Sequence, residues 1–418
     1  MFFAVKTPAI LISTLCFAVI LLSSIENLLA AREIGSETNL CAEINSLQPG
    51  EILNLMPGDH RGPCKIRRGG MAGAPIVIQA HSQTEKPRIV YEGQDSNVFE
   101  IVADYVTLRG LKIGPTKRNV DGVRILAHAG ITVEDCEFSQ LGGIAIAATR
   151  TNVDGLFVRR NIVVDSSATA MYFGCHDGAG CQISNLSVER NFIKGVDAPD
   201  PEIGYGIQLK LNTTGVVSDN VIAHTKGPGI MVYGSSDQGR PSLIERNFVT
   251  GSRQSSGVLI GGGPVQVRNN IVSDNFQGGV TLQDYADRGL LRKISVVNNT
   301  SFKNASGAFV VPPQAALSEV LFALNAAVTS EDAQAFPRRQ TGLNLRQNID
   351  CTTSACFTDT FSLNFSPTPA SPLSRVRKLK NSGLPPDDYF GRSRKGRLTA
   401  GAVAFSGPSI HFGIKSEH

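Results

Sequence analysis

Two short alternating segments end in residues that can move protons. GIQLK (206–210) ends in Lys210 and GIMVY (229–233) ends in Tyr233. An amine accepts a proton when neutral and a phenol gives one up when un-ionised, so the pair suits general acid–base chemistry. Neighbouring stretches add further groups. GCHDGAGC (174–181) carries His176, KGVDAPDPEIGY (194–205) carries Asp197, Asp200, Glu202 and Tyr205, and GSSDQGRP (234–241) carries Arg240. His176 and Arg253 are further candidates for the acid or for an electrostatic clamp. Asp197, Asp200 and Glu202 are oxygen ligands of the kind that Ca²⁺ takes.

The elements that must hold these groups are short strands. Alternation with period two sends successive side chains to opposite faces. In GIQLK it turns Ile207 and Leu209 inward, and Gln208 and Lys210 outward. In GIMVY it turns Met231 and Tyr233 outward, and in GVTLQ it offers Thr281 and Gln283. In TAMYF the same reading puts Met171 and Phe173 outside. Stacked strands lie ~4.8 Å apart, so Phe173, Lys210 and Tyr233 are expected to form one contiguous row.

A repeat organises these strands. LFVRRNIVV (156–164), LSVERNFI (186–193), SLIERNFV (242–249), VQVRNNIV (265–272) and ISVVNNTSF (294–302) share a turn asparagine. With three looser copies the series is Asn161, Asn191, Asn220, Asn247, Asn270, Asn299, Asn325 and Asn348, at spacings of 30, 29, 27, 23, 29, 26 and 23. Leu111 and Cys136 take the same position in two earlier copies. A Gly-apolar-any-apolar strand follows each turn. About three short strands per period and no helix-length segment give an all-β fold, a right-handed parallel β-helix of about 10 coils. Asparagine suits the turn because it tolerates the left-handed region, and stacked amides can bond from coil to coil. Cys136 then reads as a small buried thiol and not a nucleophile.

The rest of the chain is consistent with an extracytoplasmic solenoid. Residues 1–31 read as a secretory signal, with Lys6 ahead of an apolar run from Pro8 to Leu22 too short for a membrane span. Secreted or periplasmic location is expected, with no transmembrane segment after signal removal. The pairs Cys41/Cys64, Cys175/Cys181 and Cys351/Cys356 suit disulfides in such a compartment. Of 418 residues 42 are glycine, none is tryptophan, and 18% are charged with a net charge of +4, which argues against nucleic-acid binding and a multi-span membrane protein. The solenoid is expected over 32–405, with an N-terminal cap at 32–60, a C-terminal cap region at 350–405 and a flexible tail at 406–418. A monomer is expected.

The chain resembles the pectate-lyase-like and chondroitinase-B-like β-helix superfamily. The resemblance rests on CAEINSLQ, PGEILNLMPGDHRG and GGMAGAPIVIQA between 41 and 80, and on DDYFGRSRKGRLTAGAVAF at 387–405. It implies a helix and disulfide capping the first coil, and a substrate groove on the outer face of the Gly-apolar-any-apolar strands. It also implies an anionic, uronate-containing polysaccharide as partner, handled by β-elimination or C5 epimerisation. In that chemistry a cation or metal neutralises the C6 carboxylate, a base removes the C5 proton and, for elimination, an acid serves the leaving oxygen. Lys210 is then the candidate base, and Tyr233, His176 or Arg253 the acid or clamp. Gln208, Phe173, Tyr205, Arg240 and Gln283 become sugar contacts, and Glu202, Asp200 and Asp197 the ligands of a Ca²⁺. The paired aspartates and Gly-His-Gly motif of polygalacturonases and the Asp-Pro-His motif of the epimerases are absent. So is the family's arginine strand two coils after the lysine, where GVLIGGG stands. A non-catalytic β-helix that binds or organises polysaccharide is the alternative.

Overall fold

Each repeat of the sequence becomes one turn of backbone. The computed structural model describes residues 31–415 apart from 176–179, 238, 331, 352–355, 378, 380–383 and 395–397. The expected signal segment therefore lies, but for its last residue, outside the described residues. The turn through Val153–Arg159, Ile162–Ser166 and Met171–Phe173 is representative, and the next begins at Ile183–Glu189. These positions stack into sheet A (13 strands), sheet B (12) and sheet C (10), every neighbour parallel. The one antiparallel pair of strands among the described residues, Phe357–Asp359 with Asn364–Pro367, lies beyond the last coil.

Alternation drives the coil. In Ile183–Glu189, Ile183, Leu186 and Val188 are buried while the residues between them face outward. Such residues from all three sheets merge into one core running from Ile34 to Ala335. No turn can bury its inner face alone, so the core forms only by stacking.

The asparagine ladder is present from Asn161 to Asn348. Each Nδ2 donates to the Oδ1 of the next asparagine, as Asn161 does to Asn191 at 3.0 Å and Asn220 to Asn247 at 2.9 Å. Cys136 opens the series, its backbone N–H donating to Asn161 Oδ1. The left-handed residue is not the asparagine. It is the residue before it, including Arg160 (φ 55°), Asp219 (59°), Asn269 (54°) and Leu324 (54°), with Gly110 serving ahead of Leu111. The preceding residue makes the corner, and the asparagine is selected for its amide. A second ladder, Ser252–Asn275–Asn304, had no visible repeat to reveal it.

The helix Leu40–Ser46 caps the first coil, pinned by Cys41–Cys64. Cys175–Cys181 and Cys351–Cys356 are also bridged, and Cys136 is free and buried. Burial pushes the Cys136 thiol up to about 12. A thiol reagent is therefore expected to leave Cys136 unlabelled in the native protein and to modify it in denaturant, as read by peptide mapping. Rapid native labelling would contradict its place in the ladder.

The C-terminal segment folds back along the solenoid. It covers Val221, Phe248 and Ile271 on the outer face of sheet B with Phe365, Leu373 and Tyr389. Asp387 joins Arg246 at 3.0 Å, and Arg394 donates to Asn269 Oδ1, Gly401 O and Ala402 O. The segment from 406, expected as a flexible tail, sets Phe412 against Phe248 with centroids 5.5 Å apart.

Candidate functional site

Sheet C positions the site. Its strands are three to five residues long and begin where the chain must pass close to the next coil. A Cβ on Gly206 would come within 2.5 Å of Gly229 O, so only glycine lets Ile207 and Ile230 stack. The register sets one outward row across successive coils: Tyr172, Gln208, Met231, Leu259 and Thr281. Lys210 and Tyr233 follow the last inward residues of their strands, Leu209 and Val232.

Phe173 is not in this row. It pairs with Leu209 in register and is fully buried in the main core with Met171. The expectation for TAMYF was one residue out of phase because Ala170 fills the position of the opening glycine. Of three large residues, the tyrosine keeps its hydroxyl outside, so Tyr172 replaces Phe173 as the outward aromatic.

Four expected residues converge on this face. Lys210 Nζ lies 4.2 Å above the centroid of the Tyr233 ring. Gln208 Nε2 donates to the Tyr233 hydroxyl at 3.2 Å, and the Tyr205 hydroxyl lies 3.5 Å from that of Tyr233. Tyr285, from the loop after Leu282, packs edge-on against Tyr233 with centroids 4.7 Å apart and is 41% exposed. Burial pushes the phenols of Tyr205 and Tyr233 above their ordinary range, so both keep their protons at neutral pH. The group is deep, with Lys210 8% and Tyr233 2% exposed.

The acidic loop forms a second group on the flank. Arg253 Nη2 meets Asp197 Oδ1 at 2.6 Å. Asp200 Oδ1 accepts from Lys226 Nζ at 2.6 Å, which holds the Asp200 carboxyl below its usual range. Together with Glu202, Arg118, Gln140 and Gln254, these residues line a groove of about 880 Å³. Arg253 thus stands with the acids and not with Tyr233. The loop 194–205 joins the two groups, since Tyr205 ends it and reaches Tyr233. Arg240 and Gln283 are exposed. His176 lies outside the described residues. Among the described residues no three His, Cys, Asp or Glu side chains gather as a metal site requires.

Tyr172, Tyr285 and Lys226 were not among the expected site residues. Tyr172 had a signal, a hydroxyl-bearing residue between two apolar ones. Tyr285 had one too, as the aromatic of DYADRG. Nothing in the repeat marks Lys226.

Comparison with known proteins agrees with this architecture. Residues 121–301 match the family model described as "Right handed beta helix region". No curated protein matches the chain. Among solved structures, the A-module of the Azotobacter vinelandii mannuronan C-5 epimerase AlgE4 is 13% identical. That alignment covers 72% of this chain and 87% of that one, with a TM-score of 0.53. Pectate lyase Pel9A is 15% identical, covering 93% and 98%, with a TM-score of 0.46. At these identities the likeness is one of fold. The stacked coils, the asparagine ladder and the matched family model make this chain a right-handed parallel β-helix protein.

Proposed function

We propose that the chain is an extracytoplasmic enzyme acting on a uronate-containing polysaccharide by abstraction of the C5 proton, through β-elimination or epimerisation. The observation that carries this reading is the placement of Lys210 over Tyr233 on the outer face of sheet C, with Tyr205 and Gln208 on the same face. An amine and a protonated phenol side by side supply a base and an acid. C-5 epimerisation of mannuronan, the named activity of the epimerase module, begins with the same abstraction. The three disulfides support an oxidising compartment.

The chain's own groups set the pH dependence. Lys210 must be neutral to accept a proton, so activity is expected to climb as pH rises. Tyr233 must stay protonated to donate one. Burial disfavours the phenolate, which moves the alkaline fall above the ordinary tyrosine value of ~10. Tyr233→Phe keeps the ring under Lys210 and removes the hydroxyl, and with it the proton and the acceptor for Gln208, so kcat for elimination is expected to fall ~100-fold with KM little changed. The test is incubation of the purified protein with alginate, pectate and chondroitin, reading unsaturated uronide absorbance over a pH series. Absence of product and of C5 exchange on every polymer contradicts the reading.

The depth of the Tyr233 cluster favours a second reading, a β-helix that binds polysaccharide without turning it over. Polymer retention that survives Lys210→Ala, in a protein with no turnover, would support it.

A further inference from the structure

The acidic loop is built around a lysine. Lys226 lies one coil beyond it, just after the sheet B strand Val221–Thr225. Its backbone N–H donates to Val196 O, and the N–H of Gly227 donates to Gly204 O, so the two residues brace both ends of the loop. Between those ends the Lys226 ammonium meets three oxygens: Ala198 O at 3.0 Å, Asp200 Oδ1 at 2.6 Å and Glu202 O at 2.6 Å. An ammonium has three donors, and all three are used. The Lys226 side chain is only 7% exposed, and a cation taken that far from water requires such partners.

Two carbonyls and a carboxylate form the oxygen set that a calcium ion also takes. Here the set is already filled. Of the other two acids, Asp197 pairs with Arg253, and Glu202 contributes its carbonyl to Lys226 while its side chain faces solvent. A calcium ion needs ~6–8 oxygens at about 2.4 Å, and it would have to displace Lys226 to reach these.

We propose that the Lys226 ammonium is the resident cation of the 197–202 loop, organising it without a divalent metal. The loop carries Tyr205 to Tyr233, so Lys226 is a positioning residue for the sheet C cluster. On the reading of function given above, turnover then needs no calcium at this loop.

The test uses the full-length chain and needs no polysaccharide, so failure to find a substrate leaves it unaffected. Thermal unfolding is followed in EDTA and in CaCl₂ for wild type and Lys226→Met, with calorimetric titration of CaCl₂ into wild type and Asp200→Asn. The expected result is a wild-type Tm that is the same in EDTA and CaCl₂, no calcium heat dependent on Asp200, and a Tm several degrees lower in Lys226→Met. A wild-type Tm that falls in EDTA and returns with CaCl₂ overturns the proposal, as does calcium heat that Asp200→Asn abolishes. An unchanged Tm in Lys226→Met also overturns it. If Lys226→Met does not fold, the wild-type measurements decide alone.

Discussion

Lys210→Ala is expected to reduce turnover of the polysaccharide by a factor of ~10²–10⁴, the usual contribution of a positioned acid or base. The substitution removes the amine and leaves the core alone, because Lys210 follows the last inward residue of its strand and lies on the outer face. The losses include the contact over Tyr233, worth about 0.5–2 kcal/mol, so the protein should still unfold cooperatively at a lower temperature. Lys210→Arg separates two roles. A guanidinium does not lose its proton, so it can neutralise a carboxylate but cannot act as base. If Lys210 is the base, the arginine variant is as inactive as the alanine one. Recovery of activity with arginine would assign Lys210 to charge neutralisation and leave the base to another group.

Asn220→Ala is expected to be the most damaging single change to the fold. Asn220 Oδ1 accepts from the backbone N–H and the Nδ2 of Asn191, and its own Nδ2 donates to Val188 O and Asn247 Oδ1. The residue is fully buried, so water cannot replace these partners. A buried polar group left unpaired costs about 1–3 kcal/mol, and several are exposed to that cost at once, giving an expected loss on the order of 3–5 kcal/mol. Asn220→Leu should fare no better despite its similar size, because the ladder fails for want of hydrogen bonds and not of volume. Denaturant unfolding measures both. A loss under about 1 kcal/mol would mean that the neighbouring coils relax to re-pair their groups.

The fold was legible because a solenoid writes its period into the chain. An amide recurs at each coil from Asn161 to Asn348, and apolar residues recur on each side of it. Two features escaped for physical reasons. The left-handed corner falls on the residue before each ladder asparagine, where Arg160, Asp219 and Leu324 share no chemistry that a repeat could display. The cover over sheet B comes from the C-terminal segment, whose contacts join residues over 100 positions apart, such as Asn269 with Asp387.

The site was legible where strand alternation applies. Gln208, Lys210, Met231 and Tyr233 all face outward. The alternation failed at Phe173, where alanine replaced the glycine that fixes the phase. Grouping by loop length was less informative. The acids and Arg253 gather on the flank, and the lysine that ties Asp200 comes from the next coil, at a distance along the chain that nothing in the sequence specifies.

Proton exchange at C5 tests the central claim most directly. Purified protein is incubated with polyuronates in D₂O, and deuterium at C5 together with unsaturated ends is followed by NMR. Deuterium at C5 or unsaturated uronide formed by wild type and absent with Lys210→Ala is the predicted result. Neither signal on any polyuronate, or signals undiminished in Lys210→Ala, would contradict it.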